Sequence, residues 1–122
     1  MALRFVLDEN LRGAPWWAIQ HHNLHGVDWI DALRVGDPSD LPLGSDDPFI
    51  LLWAEREGRV LVSFDRSSLP VHPKDRLAAG HGSPGIFLIR PQCRIPHLIA
   101  FLSLAAYAGD EAQWVDQITY IS

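Results

Sequence analysis

Short apolar runs alternate with helical segments along this chain, and no other feature constrains its fold as strongly. Runs rich in β-branched and other apolar residues predict strands over residues 4–7, 27–30, 59–64, 85–90 and 118–121. Helical spacing of apolar residues predicts helices over residues 15–22, 48–57 and 95–108. Strands that alternate with helices are typical of α/β proteins, so we expect a mainly parallel central sheet flanked by helices.

The helix boundaries carry start and stop signals. Asp47 precedes Pro48, the pattern of an N-cap followed by proline at the first helical position, and Gly58 ends the segment. Pro15 and Gly26 bracket a shorter helix of about two turns. Because a helix between parallel strands crosses back along the sheet, its amino end is expected at the carboxyl edge of the strands.

Composition restricts the class of protein. The chain has 122 residues and a mass of 13.7 kDa, which is enough for a single domain over residues 1–122. A hydrophobic fraction of 48% excludes intrinsic disorder. A net charge of −5 excludes a domain that holds nucleic acid through a strongly basic surface.

The sequence also bears on location. No apolar run reaches about 18 residues, so we expect no membrane span. The amino terminus lacks the basic and then apolar pattern of a signal peptide. Cys93 is the single cysteine and cannot form an internal disulfide, which predicts a cytoplasmic protein.

Three aspartates occupy positions that the predicted topology brings together. Asp8 follows the first strand directly, and Asp65 follows the strand over 59–64. Asp47 lies at the amino end of the helix that leads into that strand. Since the carboxyl ends of parallel strands meet at one edge, where α/β proteins bind ligands, we expect all three carboxylates there.

An edge with three carboxylates is suited to a divalent cation. Carboxylates held close together repel each other, and the repulsion raises a pKa or favours a bound cation. Mg²⁺ prefers oxygen ligands, lowers the pKa of a coordinated water and neutralises charge on a phosphate. Each aspartate alone also fits a structural role, since Asp47 is a good N-cap and Asp8 and Asp65 can start turns.

The most specific motif comes directly after the first strand, where residues 5–11 read FVLDENL. A second block over residues 47–65 reads DPFILLWAEREGRVLVSFD. Together these segments resemble the family of small bacterial PIN-like proteins with a Leu-x-Asp-Glu-Asn-Leu opening, which is related to VapC-type toxin ribonucleases. The resemblance continues more weakly through Leu69, His72 and Gly85 and covers nearly the whole chain.

The resemblance implies a three-layer PIN-like fold and an acidic site for Mg²⁺ or Mn²⁺ formed by Asp8, Asp47 and Asp65. It implies a metal-dependent endoribonuclease that hydrolyses RNA, acting as the toxin of a toxin–antitoxin pair with a cognate antitoxin as partner. Relatives often carry a further acid where this chain has Ser67, so metal binding is expected to be weaker.

Further residues are secondary candidates for the same site. Glu9 and Asn10 complete the acidic motif, although Glu9 is expected to point away from Asp8 if the strand geometry continues. Three arginines are candidate phosphate contacts, with ordinary solubilising charge as the competing interpretation: Arg12, Arg66 and Arg94.

A second hypothesis belongs to a different class. With Ser67 in place of an acid, the scaffold could have lost activity and serve as a non-catalytic protein-interaction module.

The helix over residues 95–108 is apolar on more than one face, so it is either buried centrally or part of a homodimer interface.

Overall fold

A parallel sheet of five strands forms the centre of the computed structural model, which describes residues 2–26, 28–65 and 80–122. The strands are β1 (Arg4–Leu7), β2 (Asp31–Arg34), β3 (Val60–Phe64), β4 (Ile86–Ile89) and β5 (Ile118–Ile121). Their order across the sheet is β2-β1-β3-β4-β5, and each neighbouring pair is parallel. The expected parallel sheet is therefore confirmed.

Helices cover both faces of this sheet. In the described ranges they are α1 (Ala14–His25), α2 (Asp47–Glu57) and α3 (Ile95–Ala108). Apolar side chains of α1 and α3 share one core with alternate sheet residues such as Phe5 and Phe87. Those of α2 pack on the opposite face with Val6 and Leu61, which confirms the expected three-layer α/β architecture. None of these helices is long and apolar enough to cross a membrane.

An aromatic cluster fixes α3 against the sheet. The Phe87 ring centroid lies 5.9 Å from that of Phe5, 5.4 Å from that of Phe101 and 5.2 Å from that of Trp114. Contacts of this kind contribute about 0.5–1.5 kcal/mol each beyond the burial of apolar area. This face of the sheet is thus a packed aromatic layer under α3.

The hydrogen-bond ladder continues past the carboxyl ends of four strands. The first residue after β1, β2, β3 and β4 still donates its backbone N–H to the neighbouring strand. These bonds join Asp8 to Val62 at 3.0 Å, Val35 to Leu7 at 2.9 Å, Asp65 to Ile89 at 2.8 Å and Arg90 to Ile121 at 2.8 Å. The backbone at this edge is therefore held by the sheet, although the side chains lie beyond the strands.

The structure corrects the position of the second strand, which the sequence predicts over residues 27–30. β2 instead starts at Asp31, and residues 28–30 lie outside the sheet, while Val27 is not among the described residues. The Asn23 side chain bonds both the N–H and the C=O of Ile30, each at 2.8 Å. These backbone groups of Ile30 therefore already have a partner outside the sheet.

Two helix predictions need adjustment. α1 has 12 residues rather than about two turns, and it ends where the Gly26 N–H bonds the carbonyl of His22. The N-cap of α2 is Asp46, not Asp47, which is the first helical residue. Gly58 ends α2 as predicted, with the left-handed backbone (φ +67°) that glycine adopts without steric cost.

Candidate functional site

An acidic cleft of 360 Å³ opens at the carboxyl edge of the sheet, between the end of β1 and the start of α2. Seven residues line it, of which four are acidic. The acidic residues are Asp8, Glu9, Asp46 and Asp47, and the others are Asn10, Gly44 and Ser45. The cleft joins two segments about 35 residues apart in sequence, because α2 runs back across the sheet from this edge. Two of the three predicted aspartates, Asp8 and Asp47, therefore line one cleft.

Asp8 is the most constrained acid of the site, with only 5% of its surface exposed. One carboxylate oxygen accepts the Glu9 N–H at 2.7 Å and so caps the short 3-10 turn that follows β1. The other accepts the hydroxyl of Ser63, a fully buried residue of β3, at 2.8 Å. The carboxylate is thus fixed in one orientation by the 3-10 turn and by β3.

Glu9 lies in the same cleft as Asp8, contrary to the expectation that it points away. Asp8 still has extended backbone, and the chain then forms a 3-10 turn over Glu9–Leu11, so the alternation of side chains stops after Asp8. The Glu9 carboxylate accepts the backbone N–H of Gly44 from the opposite wall. Glu9 therefore connects the two sides of the cleft.

The helix start supplies the other two acids. Asp46 caps α2, because its carboxylate accepts the Phe49 N–H at 3.0 Å, and its side chain remains exposed to solvent. Asp47 follows it in the first turn and is half-buried. The positive end of the helix dipole favours negative charge at both positions, which offsets part of the repulsion among the acids.

Asp40 anchors the loop that carries Gly44 and Ser45. Its carboxylate accepts the indole N–H of Trp53 at 3.0 Å and the guanidinium of Arg56 at 2.7 Å. The hydrogen bond from Trp53, followed by the charge and hydrogen bond of Arg56, lowers the pKa of Asp40 below its ordinary value. The wall of the cleft is therefore attached to the side of α2.

Asp65, the third predicted aspartate, lies at the same edge but outside the described lining of the cleft. Val62 pairs with Leu7, so Asp65 is one strand across from Asp8 and two residues further along. Strand geometry then separates their Cα atoms by roughly 8 Å. Its side chain is exposed and has no hydrogen bond or ion pair within the described part of the chain. Asp65 is thus near the cleft and open to solvent.

The predicted phosphate-binding arginines differ from one another. Arg12 donates to the Val35 carbonyl at 2.6 Å and lies 3.9 Å from Asp37, so its guanidinium is engaged within the fold. Arg94 is exposed in the loop between β4 and α3. Arg66 and the departure from the family pattern at Ser67 fall outside the described residues.

The donors of the cleft fit a hard cation in kind. All four acidic residues offer oxygen ligands, which Mg²⁺ and Mn²⁺ accept. Within residues 2–26, 28–65 and 80–122, however, no three Asp, Glu, His or Cys side chains stand close enough to hold a metal together. Since Mg²⁺ often uses one or two carboxylates and keeps several waters, an open site of that type fits the described residues.

Cys93 gives no support for nucleophilic chemistry. Partial burial raises the pKa of its thiol above the ordinary value, which lowers the fraction of reactive thiolate.

Comparisons with protein-family models, with curated proteins and with solved structures find no match.

Two residues of the site escaped the sequence analysis, and both leave a signal. Ser63 interrupts an otherwise apolar strand, and a buried hydroxyl requires a hydrogen-bond partner, here Asp8. Asp46 stands three residues before Phe49, the spacing that an N-cap side chain needs to reach a backbone N–H. Adjacent aspartates made the choice between Asp46 and Asp47 ambiguous.

Proposed function

We propose that this protein is a metal-dependent endoribonuclease that hydrolyses RNA phosphodiester bonds. The observation that carries the proposal is the acidic cleft, where Asp8 and Asp47 meet at the carboxyl edge of the parallel sheet with Asp65 close by. This edge is where α/β folds bind ligands, and the acids come from separate elements. The resemblance of the FVLDENL segment to PIN-like ribonucleases supports the same assignment.

The acids have distinct roles in this proposal. Asp8 and Asp47 would hold Mg²⁺ or Mn²⁺, which supplies charge neutralisation at the phosphate and a lower pKa for water. Asp65 is exposed and so can accept the proton of the attacking water. The water oxygen forms a bond to phosphorus as the bond to the leaving ribose oxygen breaks, and the leaving oxygen takes up a proton.

Cleavage of RNA by the purified protein tests the proposal. Incubation with Mn²⁺ should cleave a panel of labelled single-stranded RNAs, and a chelator should stop the reaction. Asp8→Asn should abolish cleavage, because it removes a carboxylate that faces the cleft. Asp28→Asn is the matched control, since Asp28 is exposed in the α1–β2 connection and its loss changes the net charge equally.

A second variant separates chemistry from folding. Ser63→Ala removes the hydrogen bond to Asp8 but keeps the carboxylate, so it should lower stability and retain metal-dependent cleavage. Thermal unfolding of each variant shows which molecules are folded at the assay temperature. An intact RNA panel with folded wild-type protein and Mn²⁺ would contradict the proposal.

A non-catalytic interaction module is the second candidate, and a specific observation favours it. Both carboxylate oxygens of Asp8 already accept hydrogen bonds within the protein, so this acid has a structural role without any metal. A module predicts no thermal stabilisation by millimolar Mn²⁺, whereas a bound cation must stabilise the folded state. Ser67→Asp restores the acid found in the resembled family. If Ser67 adjoins the site, this substitution should strengthen Mn²⁺ binding, and unchanged binding would count against that position.

The partners follow from the same proposal. As the toxin of a toxin–antitoxin pair in the bacterial cytoplasm, the protein would bind RNA and a cognate antitoxin protein.

A homodimer through α3 is a further proposal, supported by the exposed side chains of Leu104 and Tyr107 on that helix. Analytical ultracentrifugation with Leu104→Ser distinguishes the monomer from the dimer.

A further inference from the structure

Arginines in this protein fall into two groups. Five of the seven described arginines donate side-chain hydrogen bonds within the fold: Arg4, Arg12, Arg34, Arg56 and Arg59. The other two, Arg90 and Arg94, make no side-chain hydrogen bond or ion pair with any residue of the described ranges. Both are exposed, and both lie after β4 at the carboxyl edge, so both guanidinium groups are accessible to solvent.

Arg90 does have a neighbour, which is aromatic. Its guanidinium carbon lies 4.5 Å from the ring centroid of Tyr120 in β5, and the tyrosine side chain is 47% exposed. A guanidinium stacked on a ring retains its N–H groups in the plane, where they can bond phosphate oxygens in pairs. The pair therefore presents a cation and an exposed ring surface together.

The Arg90 and Tyr120 pair shares a face of the sheet with the acids. Side chains alternate along strands, and Leu7, Ile89 and Ile121 point into the core under α1 and α3. Their neighbours Asp8, Arg90 and Tyr120 therefore point to the α2 side, and the ladder bonds of Asp8 and Arg90 keep this alternation beyond the strands. Across the sheet, the order is therefore the acids that follow β1 and β3, then Arg90 after β4, and then the ring of Tyr120 in β5.

We propose that Arg90 and Tyr120 form a subsite for single-stranded RNA beside the acidic cleft. The Arg90 guanidinium contacts a backbone phosphate, and the exposed surface of the Tyr120 ring stacks on a base. The subsite deepens the ribonuclease function, on which it rests for its substrate class. Neighbouring strands of a sheet lie about 4.8 Å apart, so an RNA chain bound here passes the acids that follow β3 and β1.

The combination of charge and ring favours RNA over an acidic protein partner. Single-stranded nucleic acids are bound through a positive surface that follows the phosphates and through aromatic rings that stack on bases. An acidic peptide needs only the charges and gains little from an exposed ring. The contribution of the ring therefore decides between the two ligands.

Binding without cleavage tests the subsite. Fluorescence anisotropy measures the affinity for a labelled single-stranded RNA of about 12 nucleotides in the presence of a chelator. Arg90→Ala and Tyr120→Leu should each weaken binding about five-fold or more, whereas Tyr120→Phe should retain it because the ring remains. Arg90→Ala should also reduce the salt dependence by about 0.7 in the slope of log K against log salt.

Matched variants elsewhere control for charge and hydrophobic surface. Arg4→Ala removes one exposed charge at the amino edge of the sheet, and Trp29→Leu removes an exposed ring, 56% accessible, from the α1–β2 connection. Neither should change RNA affinity by as much as two-fold in about 0.1 M salt, where charges beyond the ~10 Å Debye length are screened. Circular dichroism establishes that each variant has the wild-type fold.

Each outcome distinguishes the subsite from the ribonuclease function. Metal-dependent cleavage together with unchanged affinity of the Arg90 and Tyr120 variants overturns the subsite alone. Loss of affinity in these variants of a protein that cleaves no RNA supports the subsite and overturns the ribonuclease function. Binding of polyglutamate at least as tight as RNA, with no effect of Tyr120→Leu, overturns the subsite in favour of an acidic protein partner.

Discussion

Two arginines at the amino edge of the sheet differ from the two that follow β4 at the carboxyl edge. At the amino edge, Arg59 donates to the Asp31 carboxylate at 2.9 Å and to the Phe5 carbonyl at 3.0 Å. Arg4, at the same edge, donates a hydrogen bond to the backbone carbonyl of Glu57, the last residue of α2. At the carboxyl edge, Arg90 and Arg94 have no acidic partner among the described residues. Arg4 and Arg59 therefore contribute to the fold, as Arg34 does at the carboxyl edge through Asp37, whereas Arg90 and Arg94 make no such bond in the described structure.

The acids of the carboxyl edge complicate this division in an instructive way. Asp8 both caps a turn and lines the cleft, so one residue serves the fold and can serve the site. Exposed Asp65 has no such bond in the described structure. Substitution of Asp8 should therefore lower the free energy of unfolding more than substitution of Asp65. Loss of activity should instead depend on how close each carboxylate lies to the cleft.

Arg59 should show the largest effect on stability. Arg59→Ala removes two hydrogen bonds from a guanidinium that is only 11% exposed, and we expect a loss of about 2–3 kcal/mol in the free energy of unfolding. Urea denaturation measures the change. The exposed Arg56 pair is the control, since Arg56→Ala should cost less than about 1 kcal/mol. Equal losses would remove the distinction between a buried and an exposed arginine.

Asp8 should come next. Asp8→Ala leaves the buried Ser63 hydroxyl without its acceptor and removes the cap of the 3-10 turn, for an expected loss of about 1–3 kcal/mol. Ser63→Ala should cost about 1 kcal/mol, and the double variant should cost less than the sum because the two share a bond. Thermal unfolding of the three variants forms the cycle. Strict additivity would show that the bond contributes nothing.

Asp37 should give a smaller, pH-dependent effect. Partial burial opposes its ionisation, but hydrogen bonds from Arg34 and the charges of Arg34 and Arg12 outweigh burial and lower its pKa from 3.8. Since the folded pKa is lower, ionised Asp37 stabilises the fold above about pH 4, and this contribution is lost as pH falls through the lowered value. Asp37→Asn should therefore lose under about 1 kcal/mol at neutral pH and nothing at the lowest pH. A difference between wild type and variant that stays constant from neutral to acid pH would contradict this account.

Arg90 and Arg94 should show the smallest effect on stability. Replacement of either by alanine should change the free energy of unfolding by no more than about 0.5 kcal/mol, because neither side chain is hydrogen-bonded within the described fold. Chemical denaturation with the Arg59 variant in parallel provides the contrast. A loss comparable to that of Arg59→Ala would assign these arginines to the fold and not to a ligand.

Most of the fold could be predicted because its signals are local. The apolar runs of β1, β3 and β4 mark buried strands, and α3 has the predicted bounds Ile95–Ala108. β2 was misplaced because it is a half-buried edge strand of sequence DALR, in which no apolar run or clear alternation is present. The other edge strand, β5, has the apolar sequence ITYI and was predicted with its observed bounds, so the pattern fails where a strand lacks apolar residues.

The site could be predicted only in part, for a physical reason. The rule for parallel sheets brings Asp8 and Asp47 to one edge from their positions alone. Which arginine can contact a ligand depends on partners far away in sequence: Arg12 bonds Val35, and Arg90 stacks on Tyr120. Such pairings follow from the packing of the chain, and no local pattern records them.

The backbone bonds beyond β3 and β4 separate two properties that usually change together. The amides of Asp65 and Arg90 are engaged with neighbouring strands, while the side chains of the same residues extend into solvent. Their amide protons should exchange slowly with deuterium, as those of a strand do, regardless of the side chain present. Substitutions at this edge can therefore alter its chemistry one residue at a time while the sheet beneath them stays as it is.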